Sequence, residues 1–203
     1  MGHKRGDSAQ YALTQPQAKA VLAACADTVD KVIIGLQLFC TMRVGEVVHF
    51  NASWITATGD LRIPERQKCG CAACAKHPKH AGTWTPKTKA GARTLPIPKQ
   101  LRKDLSTLLK VKPYGLDLSR QSIWLRTKAI LKKARVKFKG TAGNTGFPHC
   151  LRATSASMLV EGGINEFHLC YLLGWADINM AKHYVQLFRV KPKALEAARE
   201  IFG

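Results

Sequence analysis

Two short stretches of the chain bring together residue types that handle phosphate. His149 and Arg152 stand three apart just after Pro148, and Trp175 and Tyr184 follow Arg152 by 23 and 32 residues. An arginine fork can donate two hydrogen bonds to one phosphate and stays charged at any physiological pH. A tyrosine phenol is an oxygen nucleophile, but its ordinary pKa of about 10 means it needs cationic surroundings or a base to become reactive. Taken alone, a histidine and an arginine at this spacing decorate many solvated helices. The continuation to Leu172-Leu173-Gly174-Trp175 and then Tyr184 is what singles the set out.

These residues need helices to hold them. A helix opening near Pro148 presents His149 and Arg152 on one face and turns Leu151, Ser155, Met158 and Leu159 inward. From Gln15 the apolar positions Ala18, Val21, Leu22, Cys25, Val29, Val32, Ile33 and Leu36 fall at helical spacing, with Asp27 and Asp30 marking a break into two helices. A third short helix would carry Arg43 and Glu46. From Asn51 to Pro98 the texture turns β-like in Trp54-Ile55, Leu61–Ile63 and Arg93–Ile97, separated by Gly and Pro. Helical patterns then return at about 99–111, 119–135, 148–161, 164–173, 177–189 and 192–202, with a basic, glycine-rich loop over 137–146. Residues 1–14 are polar and are expected to be a flexible segment outside the fold. The sequence predicts a mainly α domain with a small antiparallel β-sheet (α+β) over 15–203, with a Cys/His-rich insertion at about 66–82.

Charge narrows the partners. The 32 Lys and Arg against 13 Asp and Glu leave a net charge of +19, which favours a polyanion, most simply nucleic acid. A ribosomal or chromatin-like tail would be poor in apolar residues, whereas 46% of this chain is hydrophobic, enough for a sizeable core. The longest apolar runs are too short to span a bilayer, no secretory signal opens the chain, and no membrane partner is expected. Seven cysteines, an odd number, do not read as a secreted disulfide framework, so an intracellular setting is expected.

His149-Cys-Leu-Arg152, Leu173-Gly174-Trp175 and Tyr184 resemble the catalytic domain of the tyrosine recombinase or phage-type integrase family, in order and in spacing. Upstream, Cys40-Thr41-Met42-Arg43-Val44-Gly45-Glu46 resembles the family's first arginine motif, Thr-Gly-x-Arg-x-x-Glu, with Cys40-Thr41 in place of Thr-Gly. Lys87-Thr-Lys89-Ala-Gly-Ala-Arg93-Thr-Leu-Pro96 resembles the β-hairpin that carries the catalytic lysine, and its pattern favours Lys89 over Lys87. The resemblance runs over residues 15–203 and meets six positions: Arg43, Lys89, His149, Arg152, Trp175 and Tyr184. It implies a DNA breaking and rejoining domain of phage, viral or mobile-element type, in the cytoplasm or nucleoid of a prokaryotic host. Double-stranded DNA would be its substrate.

The chemistry agrees. Negative charge grows on the non-bridging oxygens of a phosphodiester under attack, so preorganised Arg43 and Arg152 would lower the barrier by binding that state best. Tyr184 would form a 3′-phosphotyrosyl link, His149 would accept a proton or donate to phosphate, and Lys89 would protonate the departing 5′-oxygen. By resemblance, Trp175 hydrogen-bonds phosphate through its indole N–H and packs beside Tyr184, while Glu46 supports the site from behind. The covalent link conserves bond energy, so neither ATP nor a catalytic metal is needed. An ordinary ion pair is the plainer account of Arg43 and Glu46 taken alone. Tyr171 precedes the Leu-Gly turn in an apolar run, which favours core packing for it, and His183 is expected to face solvent or DNA.

Between the first arginine motif and the lysine hairpin, Cys69, Cys71, Cys74, His77 and His80 crowd into twelve residues. Cys69, Cys71, Cys74 and His77 are a candidate set for structural zinc, and a reduced cysteine-rich loop is the alternative. Cys25, Cys40, Cys150 and Cys170 sit in apolar contexts and read as core thiols. By resemblance, the last amphipathic helix docks on a neighbouring protomer, giving a tetramer at synapsis, or folds back to leave a monomer in solution. The N-terminal clamp domain usual in the family has no counterpart before Gln15, so either a catalytic-domain fragment or a minimal recombinase is expected. Two alternatives stay open: a type IB topoisomerase-like enzyme that relaxes DNA, and a basic DNA-binding protein that has lost activity.

Overall fold

In the computed structural model, which describes residues 7–78, 80–138 and 146–202, the break at Asp27 is built by its own side chain. Helix α1 (Gln15–Ala24) opens on a Thr14/Gln17 capping box with Pro16 in its first turn. Asp27 then accepts the Asp30 N–H at 2.7 Å and starts α2 (Thr28–Leu38), while the buried Asp30 carboxylate is answered by Arg126 at 2.7 Å. Val32, Ile33, Ile34 and Leu36 of α2 are all fully buried. This helix is the axis of the molecule: α5 (Lys99–Val111), α6 (Arg120–Lys133) and α7 (Pro148–Glu161) all pack on it. At Gly35 a Cβ would lie 2.5 Å from Leu101, so the α2–α5 approach depends on the missing side chain.

Between α2 and α5 the chain forms α3 (Val44–His49), then β1 (Leu61–Ile63), β2 (Gln67–Lys68), α4 (Ala72–Ala75), β3 (Thr83–Trp84) and β4 (Arg93–Leu95). Strands β1 and β4 pair antiparallel with Leu61 opposite Leu95 and Ile63 opposite Arg93, and β2 pairs antiparallel with β3. The alternation places Leu61, Ile63, Arg93 and Leu95 on the buried face and Arg62 and Thr94 outside. The expected strand at Trp54-Ile55 is corrected. Trp54 closes a 3-10 turn, Ala52–Trp54, because Asn51 accepts the Ser53 N–H at 3.0 Å, and Ile55 makes a single bridge to Leu61.

Helices α8 (Glu166–Leu173) and α9 (Ile178–Val185) close over the outer face of α7, and a π-helical turn (Gln186–Val190) leads into α10 (Lys191–Phe202), none of whose residues is buried. Two further expectations are corrected. Residues 7–14 belong to the fold: Asp7–Tyr11 form a 3-10 turn against α7, and Ala9 and Leu13 are buried. Met158 is exposed rather than turned inward, because the buried face of α7 runs through Leu151, Ser155 and Val160. Most of the glycine-rich 137–146 loop lies outside the described residues.

Candidate active site

Arg152 occupies the buried face of α7, where its guanidinium donates to the main-chain carbonyls of Thr41 and Leu173. Those acceptors come from the turn between α2 and α3 and from the end of α8, so one side chain fixes three elements. The turn is held open by Thr41 in the left-handed region, φ 49°, with its hydroxyl donating to the Leu172 carbonyl at 2.6 Å. This is the place of the substituted Cys40-Thr41 pair.

Arg43 follows as the N-cap residue of α3. Its Nη1 meets Glu46 Oε1 at 2.9 Å, its Nη2 meets the Gly174 carbonyl at 2.9 Å, and its own N–H donates to Glu46 Oε2 at 2.9 Å. Glu46 is buried and also takes Arg93, Nη2 to Oε2 at 3.1 Å. Burial pushes the Glu46 carboxyl up, but the charge and hydrogen bonds of Arg93, with Arg152 and Arg43 behind, hold it below its ordinary value. Two guanidiniums, those of Arg43 and Arg93, thus share one carboxylate, and Arg152 acts on it through charge. Burial first, then the like charges of Arg43 and Arg93, press the Arg152 pKa well down, so an arriving anion would relieve the repulsion.

Gly174 locks the floor to the lysine segment. It caps α8 in the left-handed conformation, φ 57°, and a Cβ there would stand 2.8 Å from the Ala90 carbonyl and 2.9 Å from Arg93 Nη1. Lys89 opens the 3-10 turn Lys89–Gly91 seated on this glycine and is exposed, as is Lys87. His149, in the first turn of α7, has an exposed surface. Desolvation, then the charges of Arg152, Arg43, Arg120 and Lys87, keep its pKa below the usual value, which favours the neutral ring.

Tyr184, on α9, is 1% exposed, with the Trp175 ring at 5.3 Å and the Ser8 hydroxyl 3.4 Å from its own. Burial raises its pKa, while the Ser8 hydrogen bond and the Arg152 charge pull the other way. The phenol is therefore protonated at neutral pH and covered by the 7–11 turn. Five of the six expected positions, Arg43, His149, Arg152, Trp175 and Tyr184, are tied to one another by these contacts and charges. Lys89 joins them through the Gly174 turn.

Residues 12–190 match the phage integrase family. The chain belongs to that family. Among curated relatives it is 27% identical over 176 residues to tyrosine recombinase XerA of Saccharolobus solfataricus, covering 87% of this chain and 52% of the relative. It is 32% identical over 90 residues to tyrosine recombinase XerD of Staphylococcus aureus, covering 44% of this chain and 28% of the relative. The chain thus spans about half the length of XerA, or less in the case of XerD. The fold is that of the bacteriophage HP1 integrase catalytic domain (TM-score 0.59, 20% identity, 94% of each chain covered). It is also that of the Tn1549 transposon integrase solved with transposon right end DNA (TM-score 0.66, 18% identity, 94% of this chain and 66% of that one).

Within this integrase fold several residues do what the sequence did not announce. Arg93, known only as part of a motif, is the buried partner of Glu46; its place beside Leu95 on the inward face of β4 was the available signal. Tyr171 is 55% exposed rather than core, and its hydroxyl accepts the Thr94 N–H at 3.1 Å at the sheet edge. His183 is exposed, edge-on to Tyr184. Cys40 and Cys150 are core thiols, both pushed up to about 12 by burial, whereas Cys25 and Cys170 are only half-buried. The candidate metal set is corrected in its histidine. The ligand atoms of Cys69, Cys71 and Cys74 lie within 4.8 Å of one another and of His49, at the end of α3, while His77 stacks on His80 instead.

Proposed function

We propose that this chain is the catalytic part of a site-specific DNA recombinase that cleaves and rejoins strands through a 3′-phosphotyrosyl intermediate. The observation that carries the reading is the convergence of Arg43 and Arg152 on the Leu173–Trp175 turn that packs against Tyr184, with Glu46 holding Arg43 and the Thr41 and Leu173 carbonyls holding Arg152. In this reading the scissile phosphate binds Arg43 and Arg152, whose charge its developing oxyanions offset. Trp175 donates its indole N–H to phosphate and braces Tyr184. His149, neutral and therefore able to accept, takes the proton or orients the phosphate, and Lys89 protonates the leaving 5′-oxygen.

Double-stranded DNA as partner is supported by the charge of +19 and by the DNA in the Tn1549 integrase complex. Protomers assembling on that DNA, four at synapsis, would use the unburied α10, which leaves Leu195, Ile201 and Phe202 exposed. The chain would act inside the cell, on host or mobile-element DNA; among the described residues no helix is long and apolar enough to cross a membrane. No cofactor enters the chemistry, and the Cys/His insertion would hold a structural zinc ion. Covalent capture tests the reading. Wild type and Tyr184→Phe are incubated with supercoiled and nicked duplex DNA without metal, then denatured. An adduct with wild type alone is expected; no adduct despite tight binding would point to an inactive DNA-binding module, and relaxation without strand exchange to a topoisomerase.

A further inference from the structure

We infer that His49, Cys69, Cys71 and Cys74 form a tetrahedral zinc site that clamps the arginine-bearing helix α3 to the hairpin leading to the lysines. This rests on the zinc reading above and goes beyond it in ligand set and purpose; it is independent of the recombinase chemistry.

The geometry is that of a metal cage before closure. A tetrahedral zinc ion with bonds of about 2.3 Å to sulfur and about 2.0 Å to nitrogen sets N···S edges of about 3.5 Å and S···S edges of about 3.8 Å. His49 Nε2 stands 3.4 Å from Cys74 Sγ and 3.6 Å from Cys71 Sγ. With every pair of ligand atoms within 4.8 Å, closing the set needs shifts of about 1 Å or less.

The histidine is also prepared for the role. Its Nδ1 lies 2.7 Å from the Gly45 carbonyl, which can only accept, so the proton sits on Nδ1 and the Nε2 lone pair faces the sulfurs. Its ring is stacked on Trp84 at 5.1 Å, and its carbonyl accepts from Gln67 Nε2 at 2.9 Å. Gln67 in turn takes the Trp54 indole N–H at 2.6 Å. Around the cysteines, the Cys69 N–H donates to Gly82 and the Gly82 N–H to Cys74, which bends the insertion back on itself. Three soft sulfurs and an imidazole select zinc over hard cations, and binding releases the three thiol protons to solvent. His49, Cys69 and Cys71 line an open cleft with Asn51, Gln67 and Arg120, which gives the ion a path in.

The site's position explains its use. His49 ends the six-residue helix that Arg43 caps and Glu46 occupies. The β2–β3 ladder has two residue pairs, too few to hold a hairpin by itself, and β3 runs on through Pro86 to Lys87 and Lys89. A single ion joins both.

Metal content and the cobalt spectrum test this without DNA. The 203-residue chain as wild type, His49→Ala, His49→Cys, His77→Ala and Cys74→Ser is purified under reducing conditions without chelator, supplied with Zn²⁺, desalted and assayed, then reloaded with Co²⁺. About one equivalent is expected in wild type, His77→Ala and His49→Cys, with tetrahedral thiolate–cobalt bands that shift in His49→Cys. His49→Ala and Cys74→Ser should hold less than about a fifth of an equivalent, and chelation should lower the wild-type melting temperature by about 5 °C or more. Full metal in His49→Ala with loss in His77→Ala would overturn the ligand set while leaving zinc in place. Less than about a tenth of an equivalent in wild type would overturn both.

Discussion

The arginine floor and the lysine turn meet at Gly174 and are built in opposite ways. On the floor, Arg93, Glu46 and Arg152 are buried, and every guanidinium is held by at least one carbonyl or carboxylate from another element. On the turn, Lys87 and Lys89 stand in solvent, and what holds the backbone is Arg93 reaching the Gly91 carbonyl at 2.7 Å and Thr88 reaching the Gly174 carbonyl at 3.5 Å. In the proposed recombinase reading the difference would separate two tasks. Stabilising charge on phosphate requires donors fixed in advance, and folding supplies that fixity. Delivering a proton requires a side chain that can move to wherever DNA presents the leaving oxygen.

The sharpest way to break this contrast is Arg152→Ala. It would remove the proposed phosphate donor and also leaves the Thr41 and Leu173 carbonyls without their partner, so the cleavage rate should fall by about 10³-fold, with a lower melting temperature, in single-turnover assays beside thermal unfolding. Glu46→Gln leaves Arg93 buried without its counter-charge and should cost about 3 kcal/mol in denaturant unfolding. The same variant tests a pH claim. Because the Glu46 carboxyl is depressed below 4.5 in the fold, its contribution is present above the ordinary carboxylate range and lost as pH falls through the depressed value; Glu46→Gln should lack that acid-side slope.

Lys89→Ala should give the reverse signature, about 10²-fold slower cleavage with stability within about 0.5 kcal/mol of wild type. Lys87→Ala is the matched control, since its charge reaches His149, and a larger loss there than in Lys89→Ala would move the proton donor to Lys87. The smallest effect concerns Thr41. Thr41→Val keeps the branched side chain at φ 49° but loses the hydroxyl, and should cost about 1 to 2 kcal/mol. Thr41→Gly relieves the strain as it loses the bond, so its stability should stay within about 1 kcal/mol of wild type.

What the sequence made legible follows from range. Helix α5 at 99–111 and the α1/α2 break were readable because apolar spacing and capping side chains act over a few residues. Arg43, His149, Arg152 and Tyr184 were named through their resemblance to the family's motifs, and their roles belong to the proposed reading. What escaped depends on contacts between distant segments. His49 precedes Cys69 by 20 residues and enters the cysteine cluster through the fold, whereas nearness in sequence favours His77. Ser8 reaches Tyr184 only because the 7–11 turn packs on α7, and a polar terminus gives no sign of that. Tyr171 misled because an apolar run reads as core, although its hydroxyl finds a strand edge at the surface.

The most direct test of the division of labour uses a substrate with a 5′-bridging sulfur at the scissile phosphate, whose thiolate leaves without a proton. Single-turnover cleavage of this and the ordinary oxygen substrate would be compared for wild type, Lys89→Ala and Arg152→Ala. The account predicts that sulfur restores Lys89→Ala to near the wild-type rate and leaves Arg152→Ala slow. Rescue of Arg152→Ala, or failure to rescue Lys89→Ala, would contradict it.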